Sequence, residues 1–297
     1  MIEIRLMGHV SVRVDGRVVT GLSGKQRQIL TILALHANSP VSKERLADQL
    51  WQGSPPSSYL GTLDSYVCVV RRHLGLSAGR GSQLATTSAG FMLHTGPDVV
   101  VDLAQFRELA RSAQDAGSAE LVTRAQQALG LIYGELVADV PYADWALQAR
   151  ESFRHEAVDL GVQGAQRANA LGDYECAERL AKAATQRDPM REDAWRQLML
   201  AQWFGGRRGG ALAAYGELRA ALAECVGVEP GQASQDLYLT ILRDAPEAGS
   251  SSVSDEGSEL RILLRLLRQA LDCRPGTRAP SRDAALSEAA VQALAAV

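Results

Sequence analysis

The feature that most constrains the fold is a change of hydrophobic period near residue 23. From Ile2 to Val18 the apolar residues alternate, as Ile2, Ile4 and Leu6, then Val10, Val12 and Val14, with Asp15-Gly16 between Val14 and Val18. Period two with an Asp-Gly turn predicts short antiparallel strands. From Gly24 to Ala37 the period becomes helical, with Ile29, Leu30, Leu33 and Ala37 on one face and Asn38-Ser39-Pro40 as a stop. Ser42 is a good N-cap for a second, short helix carrying Leu46, Ala47, Leu50 and Trp51. After the turn GSPPSS, a third helix from Tyr59 to Leu74 buries Leu63, Tyr66, Val67, Val70 and Leu74. Two apolar runs, 84–87 and 91–94, then flank Ser88-Ala89-Gly90 as a hairpin. Strands, three helices and a hairpin within about 95 residues form the order of a winged helix-turn-helix, in which two helices prop a third against a DNA groove.

That order predicts which side chains face outward. Measured from Val67, the free face of the third helix holds Gly61, Thr62, Ser65, Cys68, Val69 and Arg72. Small residues permit close approach, Val69 suits a thymine methyl, and Arg72, with Arg71 beside it, suits guanine or phosphate. Lys25, Arg27, Lys43 and Arg80 are candidates for phosphate contacts, and Thr87 and Ser88 for contacts from the wing.

Charge supports a division of labour. The whole chain carries −3, but residues 1–95 hold 10 basic and 5 acidic side chains (+5), whereas 96–246 hold 15 and 22 (−7). In the second segment Gly172 recurs at Gly206 and Ala177 at Ala211, both offset by 34 residues, the tetratricopeptide period. Helices are expected over 153–171, 174–187, 191–204 and 209–225, stacked in pairs that expose a concave surface suited to a protein partner. The position 34 beyond Pro189 is Ala223, so the pattern is tetratricopeptide-like. The fold class expected is mainly α with a small β component. It comprises a winged helix-turn-helix at 1–95, an all-α tetratricopeptide-like domain at 98–246, and a flexible linker and helical tail at 247–297. In that tail, 259–271 places five leucines on one side, the pattern of a docking helix, and 281–297 is Ala-rich.

Enzyme chemistry finds no purchase. GLSGKQ at 21–26 lacks the glycine spacing of a phosphate loop and has Gln26 where magnesium would need Ser or Thr. Five His and four Cys (Cys68, Cys176, Cys225, Cys273) show no ligand spacing, so neither a metal, another cofactor nor a disulfide framework is expected. The amino terminus alternates where a signal peptide needs an apolar core, and no run approaches the ~20 apolar residues that span a bilayer. A cytoplasmic, non-enzymatic protein is expected. Two readings remain, a DNA-binding regulator and a protein-interaction scaffold built on the repeat domain; the +5 charge favours the first.

The segments GKQRQILTILALHANSPVSKERLADQLW, TLDSYVCVVRRHLG and LATTSAGFML resemble the DNA-binding domain of the Streptomyces antibiotic regulatory proteins. WALQARESF, GDYECAERLAKAATQRDPMREDAWRQLMLAQWFGGRRGGALAAYGELRAAL and GVEPGQASQDLYLTIL are similar to the bacterial transcriptional activation domain that comes next in that family. The resemblance implies an activator of a secondary-metabolite gene cluster, bound to direct repeats in promoter double-stranded DNA as a head-to-tail dimer. It also implies that Gly53, Ser54, Pro55, Pro56, Ser57 and Ser58 form the loop that touches RNA polymerase or its sigma subunit. Many relatives have Arg or Asn where this chain has Val69, and a basic residue near Ser88-Ala89, which shifts the base preference implied and weakens the case for wing insertion.

Overall fold

A computed structural model describes residues 1–76 and 82–244. Arg80 and the linker and helices expected after residue 246 lie outside the described residues.

The alternating segment forms β1 (Ile2–Arg5), β2 (Ser11–Val14) and β3 (Arg17–Val18), antiparallel in succession, with Ile2 opposite Val14 and Arg13 opposite Val18. Helix α1 (Gly24–Leu35) begins at a reciprocal cap: Ser23 Oγ accepts from the Gln26 amide while the Ser23 amide donates to Gln26 Oε1 at 2.9 Å. The apolar pattern carries this helix to Ala37, whereas the structure ends it at Leu35. Asn38, at φ 65°, turns the chain so that its amide reaches the Leu93 carbonyl. Every residue from Ile29 to Leu35 is buried, so α1 is a central helix with neighbours on all sides. Ser42 caps α2 (Lys43–Trp51), accepting from the Arg45 amide at 3.1 Å. Helix α3 (Tyr59–Leu74) comes next, and then the hairpin of β4 (Leu84–Thr87) and β5 (Gly90–Leu93).

One strand escapes the sequence pattern. β6 (Val99–Val101) pairs parallel with β1, giving the order β3-β2-β1-β6. It lies beyond the division expected at residue 95, yet it completes the sheet of the winged region and leads directly into α4 (Asp102–Gln114). Helix α5 (Ser118–Gly130) is its successor; α4 and α5 occupy a stretch for which the repeat pattern assigns no individual helices.

The repeat helices are α6 (Asp144–Ala170), α7 (Tyr174–Arg187), α8 (Glu192–Phe204), α9 (Arg208–Cys225) and α10 (Gln232–Arg243). Helix α6 starts nine residues ahead of the expected 153, because Trp145 and Ala146 are buried and extend its packed face. The 34-residue offset is conformational as well as compositional: Gly172 and Gly206 take φ 77° and 75° at equivalent turns, and Ala177 and Ala211 are both fully buried. Only glycine adopts that φ freely, and only a small side chain lets successive helices pack so closely.

Residues Met1–Ala245 form one compact unit, and two long-range charges help hold it together. Asp102, buried at the start of α4, accepts from the amides of Leu6, Met7 and Leu103 at 2.8–3.0 Å and from the Tyr133 hydroxyl at 3.2 Å. Arg107 on α4 donates to the Leu35 carbonyl at the end of α1 and forms a two-pronged bridge to Glu156 on α6, at 2.9 and 3.0 Å. A planar guanidinium suits both tasks at once.

Candidate nucleic-acid interface

Helix α3 sits on its apolar stripe. Leu63, Val67, Val70 and Leu74 are buried, as the spacing predicts, whereas Tyr66, expected in the same stripe, is half-buried. On the opposite face Gly61, Ser65, Cys68 and Arg72 are exposed. Thr62 and Val69 are half-buried at its flanks, so Val69 is less exposed than its place on the helix suggests. The Thr62 hydroxyl turns back onto the Ser58 carbonyl at 3.1 Å. The result is a low surface of small side chains from which Arg72 projects without an ion pair among the described residues. Gly75 closes the helix in the left-handed conformation, and Arg71, Arg72 and His73 in the last turn complement its dipole.

Arg71 and Arg72 part company. Arg71 Nε donates to the Leu84 carbonyl at 2.9 Å and Nη2 to Thr86 Oγ1 at 2.8 Å, fastening the hairpin to α3. The sequence carries the signal, since Arg71 lies four residues beyond buried Val67 and so shares its side of the helix.

The phosphate candidates also divide. Lys25 Nζ donates to the Leu50 carbonyl and stands 5.5 Å over the Trp51 ring, while Lys43 bridges to Asp64 at 2.8 Å and stands 5.3 Å over the Phe91 ring. Both lysines bind the helices to one another. Arg27 is exposed, with no such partner among the described residues. On the wing, Thr87 Oγ1 donates to the Gly90 carbonyl at 3.1 Å and accepts from the Ala89 amide, shaping the turn; Ser88 stands exposed at its tip. The wing is docked by Val41 and Phe91, which exchange backbone hydrogen bonds at 2.8 and 3.0 Å. A Cβ on Gly90, at φ 127°, would lie 2.7 Å from the Val41 carbonyl carbon.

Gly53, Ser54, Pro55, Pro56, Ser57 and Ser58 are all exposed between α2 and α3. Backbone bonds from Gly53 to Asp48, Ser54 to Trp51 and Tyr59 to Pro56 give the loop a fixed course. At the end of α1, burial first, aided by the Arg45 and Arg107 charges, pushes the His36 imidazole below its ordinary range. Its Nδ1 then donates to the Ile32 carbonyl and its Nε2 accepts from Arg45 at 3.0 Å. Asp102 and Arg107, which fix the winged region to the helical domain, carry no local mark in the sequence beyond a buried charge opening a helix and one on its inner face.

A helix-turn-helix with a docked wing, continuous with stacked helix pairs, defines a class of bacterial transcription regulator. Residues 17–92 match the family described as transcriptional regulatory protein, C terminal, and 101–242 match the bacterial transcriptional activator domain. The chain belongs to the Streptomyces antibiotic regulatory protein family. It is 34% identical to regulatory protein DnrI of Streptomyces peucetius, over 82% of this chain and 93% of that one. It is 30% identical to transcriptional regulatory protein EmbR of Mycobacterium tuberculosis, over 88% and 69%. Against regulatory protein AfsR of Streptomyces coelicolor it is 30% identical over 84% of this chain, but spans only 25% of that longer protein. A solved structure of M. tuberculosis EmbR in complex with a low-affinity phosphopeptide superposes with a TM-score of 0.68 at 25% identity, covering 91% of this chain and 71% of that one. Among the described residues no helix is long and apolar enough to cross a membrane.

Proposed function

We propose that the protein is a sequence-specific activator of a secondary-metabolite biosynthetic gene cluster, acting in the cytoplasm at the nucleoid without enzymatic activity or a cofactor. The winged region, residues 1–95, reads promoter double-stranded DNA through Thr62, Ser65, Cys68, Val69 and Arg72. Arg27 and the wing tip at Ser88 touch the flanking backbone. Two copies bind head to tail on direct repeats, with both α3 helices on one side of the duplex. The loop 53–58 and the acidic helical domain, 98–246, hold RNA polymerase and its sigma subunit at the promoter.

The observation that carries this reading is the outer face of α3, where small exposed side chains surround an arginine that has no ion pair among the described residues. A surface so low admits a duplex closely, and a free guanidinium suits guanine or phosphate. The test is a salt titration on the DNA upstream of genes adjoining its own. Binding through several phosphates falls linearly in log K against log salt, with a slope near −0.9 for each phosphate neutralised. A flat titration, or no binding to any upstream sequence, overturns the proposal.

A further inference from the structure

Where the segment 132–136 meets α6 and α7 there is a cavity of about 440 Å³, the size of a small-molecule site. Ile132 and Tyr133 give it an accessible apolar wall, over a buried floor of Leu136, Phe153 and Ala157. Its charged lining is three arginines against one glutamate, Glu135. Two of the three are occupied. Arg150 donates to the carbonyls of Leu136, Val137 and Val140 at 2.6–2.9 Å, and Arg154 pairs with Glu151 at 2.6 Å. Arg187 differs: it is half-buried, its hydrogen bond goes to the Ala183 carbonyl of its own helix, and no carboxylate among the described residues lies within ion-pair distance. Burial pushes its guanidinium below the ordinary range, the mark of a charge taken from water without a counter-ion. A second cavity of about 490 Å³, between α1 and α4, offers the contrast, because its Arg107 and Arg111 are satisfied by Glu156 and Glu108.

We propose that the cavity beside Arg187 binds a small amphiphilic acid, a carboxylate on a compact apolar body, and passes its occupancy to the winged region. The carboxylate takes the fork of Arg187, and the apolar body lies on Ile132 and Tyr133. The path to the winged region is short. The segment forming one wall of the cavity is also the segment that pairs with the chain leaving β1: the Gly8 amide donates to the Glu135 carbonyl at 2.8 Å and the Val137 amide to the Leu6 carbonyl at 2.7 Å. Tyr133, in that same wall, reaches Asp102, whose carboxylate also holds the Leu6 and Met7 amides. No slack separates the two segments, since a Cβ on Gly134 would lie 2.9 Å from Gly8 Cα. Val137 sits fully buried at φ 54°, a conformation that β-branched residues rarely adopt, and Arg150 bonds its carbonyl. A strained turn so held is sensitive to what fills the space beside it.

The test uses the full chain with 2-naphthoate and 9-anthroate as probes, 2-naphthamide as the neutral counterpart, and calorimetry as the readout. One-site saturable binding of an acid is expected, about tenfold weaker for the amide and for Arg187→Gln, as befits loss of a charge-assisted pair. Arg187→Lys, which keeps the charge and loses the fork, should fall between, and covers the case in which Arg187→Gln fails to fold. With naphthoate bound, hydrogen exchange at the Gly8 and Val137 amides should slow about tenfold. Absence of saturable binding by both acids, equal binding of the amide, or undiminished binding by a folded Arg187 variant overturns the site. Unchanged exchange at saturation overturns the link to the winged region. None of these measurements involves DNA, so they stand or fall apart from the proposed regulatory role.

Discussion

Charge is used in opposite ways on the outer face of α3 and at the turns of the helical repeat. On α3, Arg72 is left in water with no ion pair among the described residues. In the repeat, Glu178 is nearly buried and surrounded: Gln202 Nε2 donates to it at 3.1 Å, Lys182 approaches to 2.8 Å, and Arg207 closes the other oxygen. An exposed lone cation adds little to stability and is available to an outside anion. A closed network fixes the register of neighbouring helices and has little left for a partner. Substitutions should therefore separate the two regions, affecting DNA affinity on one side and stability on the other.

The largest effect tests whether the winged region has any rigid point of its own. Gly90→Ala forces alanine into φ 127° and drives its Cβ into the Val41 carbonyl, so the wing must leave its seat. A loss of at least about 3 kcal/mol is expected in urea unfolding. Unchanged stability would mean that the hairpin is not docked as described.

The next tests the repeat. Burial alone would raise the Glu178 carboxyl, but hydrogen bonds from Lys182, Gln202 and Arg207 outweigh it and hold it at about 2. A folded-state value below the ordinary 4.5 stabilises the protein at pH above about 4.5, and that contribution disappears as pH falls toward 2. Glu178→Gln should cost on the order of 2 kcal/mol near neutrality, with the gap to the parent protein closing across that window. A gap that stays constant with pH would remove the network from the account.

The smallest change in stability belongs to Arg72. Arg72→Ala should leave unfolding within about 0.5 kcal/mol of the parent while weakening specific DNA binding by about 1–3 kcal/mol. Arg71→Ala should do the reverse, loosening the hairpin by about 1 kcal/mol through the loss of its bonds to Leu84 and Thr86. If both variants behave alike, the contrast between a tethered and a free arginine at neighbouring positions fails.

The range of each interaction decides whether the sequence displays it. Ser23 with Gln26, Ser42 with Arg45, and the stripe from Leu63 to Leu74 act within a few residues, so periodicity and capping residues mark them. The tetratricopeptide-like helices announce themselves because Gly172 and Gly206 must repeat a conformation. β6 is three valines with no turn chemistry of its own, and its partner β1 lies at the other end of the winged region. Asp102 and Arg107 likewise act across 95 and 72 residues, to Met7 and Leu35, distances that no local pattern spans. For the outer face of α3, helical spacing places Arg72 outward, whereas Arg71, read as a candidate for the same contacts, turns to the hairpin in the structure. Spacing does not reveal that Lys25 and Lys43 fold back onto aromatic rings, because that depends on where separate helices meet.

The placement of β6 also bears on how relatives could trade specificities. A crossover just after the wing hairpin would set the donor's β1 beside a recipient's β6, so that two strands from different parents must share one edge. A crossover beyond Asp102 carries the strand and its carboxylate clamp together, but must then meet a compatible 133–138 segment in the recipient. Recombination between members of such a family is thus expected to succeed when β6, Asp102 and that segment travel with the donor, and to give less stable chimaeras when the join falls between the hairpin and Val99.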